Sequence, residues 1–218
     1  MIDSPGVGAR RPGFFSQLTH ARPGASRANV ISAQKASCCR TEPDRGSCTS
    51  RDTCAKKALG MPEPRVQELI VKLERGMQKT EQRFRSLPPE KWSITVYDGS
   101  PPWTARSLLA HFASSEVALL AMAKNVASGG PGAPEGFDFD AFNAEEQIRL
   151  ASRTAEELLG DLISARDALL SWLRALPESA LDCQGRHPAL GTVSLETMIT
   201  AIYGHQLLHM RDLAARLA

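Results

Sequence analysis

The run Tyr203-Gly-His205-Gln-Leu-Leu-His209-Met-Arg-Asp-Leu places two of the chain's five histidines four residues apart. On a helix, positions i and i+4 share a face, with Cβ atoms roughly 5–6 Å apart. Two imidazole nitrogens at that separation reach one metal ion at about 2.0–2.1 Å each. A third histidine, His111, lies in another apolar run, Leu108-Leu-Ala-His111-Phe. A fold that joins the two runs makes a three-nitrogen site with room for water or substrate. A metal held that way lowers the pKa of bound water toward about 7 or binds a thiolate nucleophile. The alternative is three core histidines whose ring nitrogens are met by carbonyls, waters or carboxylates. Spacing alone does not decide, because chance puts two of five histidines four apart about one time in ten. Placement adds weight: all three interleave with apolar residues, where an unmet polar group costs about 1–3 kcal/mol.

Four further residues lie near these histidines in sequence. Glu116 follows His111 by five positions, about 140° away around a helix, and is either a site acid or a carboxylate that pairs helices. Asp212 is placed to accept an imidazole N–H, or to pair with Arg211 or Arg216. Tyr203 and Gln206 flank the histidine pair and either contact substrate or pack. Gly204 beside His205 suits a close helix approach, at about 1 kcal/mol of helix propensity. Cys183 has only Arg186 nearby to lower its pKa and makes a poor nucleophile. His187, in Gly185-Arg-His-Pro, and His20 read as incidental. No residue stands out as a general base.

Four amphipathic patterns must position these groups. The first spans Pro64 to Arg85, with Val66, Leu69, Ile70, Leu73, Met77 and Phe84 on one stripe. The second runs from Thr104 to about Ala127, with Thr104 as N-cap and Trp103 stapling onto Leu108. The third opens at Asn143 as N-cap, carries Ile148, Leu158, Leu162, Leu169 and Leu173, and stops at Pro177. The fourth opens at Ser194 and carries Met198, Ile199, Ile202, Leu208 and Leu213. With no convincing strand, these predict an all-α four-helix bundle. The connections at about 86–103, 128–142 and 177–193 exceed the usual 2–8 residues between neighbouring bundle helices, so simple up-down-up-down order is not required. The Gly- and Pro-rich middle connection is either a mobile border to a site or a spacer.

Residues 1–60 carry ten Lys and Arg against four Asp and Glu, whereas residues 61–218 carry sixteen against twenty. The mildly acidic body gives no electrostatic reason to expect nucleic acid. The segment 1–60 lacks periodicity and reads as a disordered basic tail or an extension upstream of a start at Met61. Four of the five cysteines lie in it, as Cys38, Cys39, Cys48 and Cys54. Their spacing lacks the C-x2-C pairs of a zinc ribbon, so a zinc knot is disfavoured. One cysteine in the body fits a reducing, cytoplasmic compartment. No run approaches the roughly 18 apolar residues of a membrane span.

Three segments in order, Leu87-Pro-Pro-Glu-Lys-Trp92, Trp103-Thr-Ala-Arg-Ser-Leu-Leu-Ala-His111-Phe-Ala-Ser-Ser-Glu116 and Gly204-His205-x3-His209, resemble the DinB-like superfamily over residues 64–218. That superfamily includes mycothiol- and bacillithiol-dependent transferases and isomerases. The resemblance implies a four-helix bundle holding a divalent metal, zinc or nickel first and iron as well, through His111, His205 and His209. An acid often stands at the position of Glu116. The resemblance further implies a low-molecular-weight thiol cosubstrate, a small electrophilic substrate and a transferase or isomerase reaction. A metal-dependent hydrolase, and a non-catalytic metal- or ligand-binding module that pairs as a homodimer, are the alternatives it leaves.

Overall fold

The computed structural model describes residues 62–218. The readings of residues 1–60 as tail, extension or zinc knot, and of Met61 as a start, lie outside the described residues. Helix α1 (Pro64–Arg85) begins with proline, whose missing N–H costs nothing in a first turn. Its predicted stripe from Val66 to Phe84 is buried. A short antiparallel ribbon follows, β1 (Thr95–Tyr97) on β2 (Trp103–Thr104). Helix α2 (Ala105–Ala127) starts from a reciprocal cap. Thr104 Oγ1 accepts the Ser107 N–H at 3.2 Å, and Ser107 Oγ accepts the Thr104 N–H at 3.1 Å. Every residue from Leu108 to Glu116 is buried, which makes α2 a central element.

The third predicted helix is two helices. Helix α3 (Phe139–Arg149) is capped by Asp138, not Asn143. Asp138 Oδ1 accepts the N–H groups of Asp140 and Ala141 at 3.0 and 2.9 Å. The chain then breaks, because Arg106 Nη2 takes the carbonyls of Leu150 and Ala151 at 2.8 and 2.9 Å. Thr154 and Glu157 also form a second capping box that starts α4 (Ala155–Arg174) afresh. Ile148, expected on the buried stripe, is consequently 78 % exposed. A second ribbon, β3 (Gln184–His187) on β4 (Gly191–Ser194), leads into α5 (Leu195–Leu217), capped by Ser194. Both ribbons are additions to the expected all-α bundle. The glycine-rich connection after α2 is pinned rather than free: Ala133 N–H donates to Arg186 O at 2.8 Å and Arg186 N–H to Pro131 O at 2.7 Å.

Helices α1 and α2 each pack against both α4 and α5. Helices consecutive in sequence, α1 with α2 and α4 with α5, therefore stand across the bundle's diagonals. The core divides into two hydrophobic clusters. One holds Leu69, Leu73, Leu120, Leu169 and Ile202; the other holds Met77, Phe112, Leu162 and Leu213. By this order α1 and α5 run from the first cluster to the second, and α2 and α4 run the opposite way. The connections at 86–104 and 175–194 are long because they cross an end of the bundle. Close contact between α1 and α5 occurs at Gly76, where a Cβ would stand 2.6 Å from Tyr203 Cδ2. Gly204 has nothing within 4 Å of its own Cβ position, so the expected close approach falls at Gly76 instead.

Candidate metal centre

Helix α2 carries His111 two turns beyond its cap, and α5 runs beside it in the opposite direction. His205 and His209 stand on the α5 face turned to α2. His205 Nε2 lies 2.8 Å from His111 Nε2 and 3.1 Å from His209 Nε2. The ring centroids of the three pairs are 4.7–5.3 Å apart. One donor atom from each histidine lies within 4.8 Å of the others, a group able to hold a metal ion. Two nitrogens about 2.0–2.1 Å from a common ion and about 90–110° apart stand about 2.9–3.4 Å from each other, close to the two His205 contacts and shorter than the 4.8 Å that spans the group, so a bound ion would draw the rings inward. His111 Nδ1 is buried and meets no hydrogen-bond partner of standard geometry, although the Asn143 side chain on α3 is near enough to favour the charged ring. The ring is held instead by Trp103, with centroids 5.0 Å apart, and by Phe112.

Burial is the largest influence on all three rings and keeps them neutral. It pushes His111 down to about 3, aided by the field of His209, and His209 down to about 2, aided by His205. His205 also falls well below its ordinary range, through burial and then the fields of His111 and His187. Neutral imidazole is the form that binds metal.

Tyr97 sets which nitrogen of His209 carries the hydrogen. Its hydroxyl donates to Asp212 Oδ2 at 2.8 Å and lies 2.7 Å from His209 Nδ1. Burial and the Asp212 carboxylate raise the Tyr97 pKa, so the hydroxyl keeps its one proton. That proton goes to Asp212, so toward His209 the oxygen accepts and Nδ1 carries the hydrogen. Nε2 of His209 then presents a lone pair to the cluster. Such a buttress typically supports metal affinity by about 10–100-fold. Tyr97→Phe is expected to weaken zinc binding by that factor while the fold stays intact, as a competition titration would measure.

The other sequence candidates separate from the cluster. Asp212 reaches His209 through Tyr97, and also lies 3.6 Å from Arg211 Nε. Glu116 is fully buried but pairs with Arg166 on α4, and Gln206 donates to it at 2.8 Å, away from the imidazoles. Tyr203 packs on Gly76 and walls a groove of about 540 Å³ between α1 and α5. None of the three histidines lines that groove. Cys183 is buried and is not a free thiol. His187, read as incidental, is buried in β3, accepts the Ala189 N–H at 3.2 Å and is pushed down to about 4 by burial. Tyr97 was missed: it sits in a three-residue strand 112 positions from its partner, too short for periodicity to mark.

Acid sensitivity follows from these rings. Their folded pKa values lie below the ordinary value of about 6.5, so the unfolded chain binds protons first as pH falls. In the metal-free chain, their contribution to stability is complete above about pH 6.5. Below it, stability falls as the pH drops toward the folded pKa values, because the unfolded chain takes up protons that the buried rings refuse. Urea midpoints at pH 7.5, 6.5 and 5.5 should fall in that order; a flat series would contradict the burial.

The sequence profile of the DinB superfamily matches residues 72–213, which takes in all three histidines and most of the bundle. The chain belongs to the DinB superfamily. Among solved structures, this DinB chain is similar to YfiT from Bacillus subtilis, described as a probable metal-dependent hydrolase with an unusual four-helix bundle topology. The likeness has a TM-score of 0.57 at 16 % identity and covers 80 % of this chain and 90 % of that one. It is also similar to a mycothiol-dependent maleylpyruvate isomerase, with a TM-score of 0.58 at 18 % identity over 69 % of this chain. There it spans 61 % of the other chain, under two thirds of its length. At these identities the likeness concerns the fold. No curated protein matches in sequence. Among the described residues, no helix is long and apolar enough to cross a membrane.

Proposed function

We propose that this chain is a divalent-metal-dependent enzyme acting on a small electrophilic molecule, with a low-molecular-weight thiol as cosubstrate. The observation that carries the reading is the convergence of three neutral imidazole nitrogens, with His205 Nε2 within 2.8–3.1 Å of the other two. His111, His205 and His209 are the ligands. Zinc or nickel suits an all-nitrogen donor set, and iron is accommodated by the same ligands. A metal held by these three residues would supply Lewis acidity and an open position that lowers the pKa of a bound water or thiol. The protein's own part is orientation and exclusion of water. Tyr97 and Asp212 fix the His209 ring, Trp103 and Phe112 wall the site with apolar surface, and the capped start of α2 sets the height of His111.

Isomerisation or transfer with thiol is the first reading, supported by the isomerase among the similar structures. Hydrolysis without thiol is the second, favoured by the fuller coverage of YfiT. The partner in both is a small molecule rather than nucleic acid or membrane, in keeping with the acidic body. A cytoplasmic setting and a homodimer complete the proposal.

The full chain should be purified from metal-supplemented culture and its metal content measured. About one divalent ion per chain is expected. Turnover of small electrophiles should require added thiol and stop with chelator. Turnover that needs metal but no thiol selects the hydrolase, and a metal content near zero removes both readings.

A further inference from the structure

A polar layer lies between the two hydrophobic clusters and touches all four long helices. Arg166 from α4 donates through Nε to Glu116 Oε1, through Nη2 to Glu116 Oε2 at 2.9 Å, and through Nη1 to Leu73 O of α1 at 2.8 Å. Gln206 from α5 donates to Glu116 Oε2 at 2.8 Å. The Arg166 and Glu116 side chains are 1 % and 0 % exposed. A buried ion pair is weak evidence for stability, since apolar replacements of the same volume often do as well or better. In some proteins such layers choose one register among several that packing alone tolerates.

The register concerned is the one that builds the metal site. Helix α2 supplies both Glu116 and His111, about 7.5 Å apart along the axis. Helix α5 supplies Gln206 and, adjoining it, His205. The Glu116–Gln206 hydrogen bond therefore ties the same two helices that bring the imidazoles together. Each residue turns a helix by about 100°, so a one-residue slip of α5 would swing His205 and His209 out of reach of His111. Apolar contacts around Ile202 and Leu213 tolerate small rotations; a directed bond to a fixed carboxylate does not.

We infer that Glu116, Arg166 and Gln206 are positioning residues for the metal site: the ion pair fixes the carboxylate, and the carboxylate fixes the rotation of α5 through Gln206. The inference rests on the reading of the three histidines as ligands.

The test uses the full chain with two variants. Gln206→Leu keeps the ion pair and removes only the link to α5. The double variant Glu116→Met with Arg166→Met removes both charges together. Zinc competition titration should show at least about 10-fold weaker binding in each, the loss typical of a removed supporting contact. The visible spectrum of the cobalt-loaded protein should change, while the metal-free thermal midpoint of Gln206→Leu stays within a few degrees of wild type. Unchanged zinc affinity and cobalt spectrum overturn the inference, whether or not the midpoint falls, because the layer would then be structural only. If the double variant does not fold, Gln206→Leu decides alone. A wild-type chain that takes up no metal removes the underlying reading instead. In that case a crystal structure of metal-free Gln206→Leu still decides on register: the 2.8 Å contact between His111 Nε2 and His205 Nε2 should open. If it is kept, the inference fails.

Discussion

Replacing His205 with alanine is expected to abolish stoichiometric metal binding while leaving the bundle folded. His205 Nε2 is the hub of the cluster, with one neighbour 2.8 Å away on α2 and the other 3.1 Å away on α5. Its loss leaves two nitrogens where three converge. The fall in affinity should exceed the about 10–100-fold that loss of a supporting contact produces, because a ligand itself is gone. The metal-free fold should tolerate the change: His205 is the least buried of the three histidines, and α5 keeps Met198, Ile199, Ile202 and Leu213 in the core. One fewer ring would then resist protonation, so the variant's stability should fall less steeply below pH 6.5 than that of wild type. Metal content and urea midpoints of the purified variant check both statements. A variant that still holds one ion per chain would sink the ligand assignment.

Arg166→Met alone should be the most destabilising single change in the core. It leaves the Glu116 carboxylate buried with only Gln206 as partner. Breaking a buried pair from one side costs about 3–5 kcal/mol, a large part of the 5–15 kcal/mol that holds a domain together. For a domain of this size that lowers the thermal midpoint by roughly 6–20 °C. The double variant with Glu116→Met should recover most of that loss, because no charge stays behind. Circular dichroism melts of the single and double variants separate charge from packing. If the double variant melts as low as the single one, shape rather than charge is what the site requires.

Much of this architecture was legible because capping chemistry is local. Thr104 and Ser194 mark true helix starts, and the stripe of α1 reads directly. The error at the third helix has a similar cause. Asn143 imitates a cap, while the real break depends on Arg106, some 44 positions from the carbonyls it holds. Ile148 went to the wrong side because periodicity was carried through that break. The two ribbons are too short to announce themselves. The histidine pair was visible as a spacing, but its meeting with His111 depends on diagonal connections that no local pattern encodes. Glu116 was singled out for its nearness to His111, yet its partner is Arg166, 50 residues away. An arginine set among Leu162, Ala165, Leu169 and Leu170 was the available signal, since an arginine in an apolar stripe needs a buried anion.

The diagonal connectivity also bears on how the protein comes apart. His111 and His205 are 94 positions apart in the chain. An ion shared between them closes a loop of about that length, and a cross-link spanning about 100 residues removes roughly 4.7 kcal/mol of disorder from the unfolded chain in the entropic picture. An ion held there would work as a staple between the two halves of the sequence, tying α1 and α2 to α4 and α5. Resistance to heat and proteolysis would then depend on free metal concentration, and starving the chain of its ion would shorten its lifetime before any question of turnover arises.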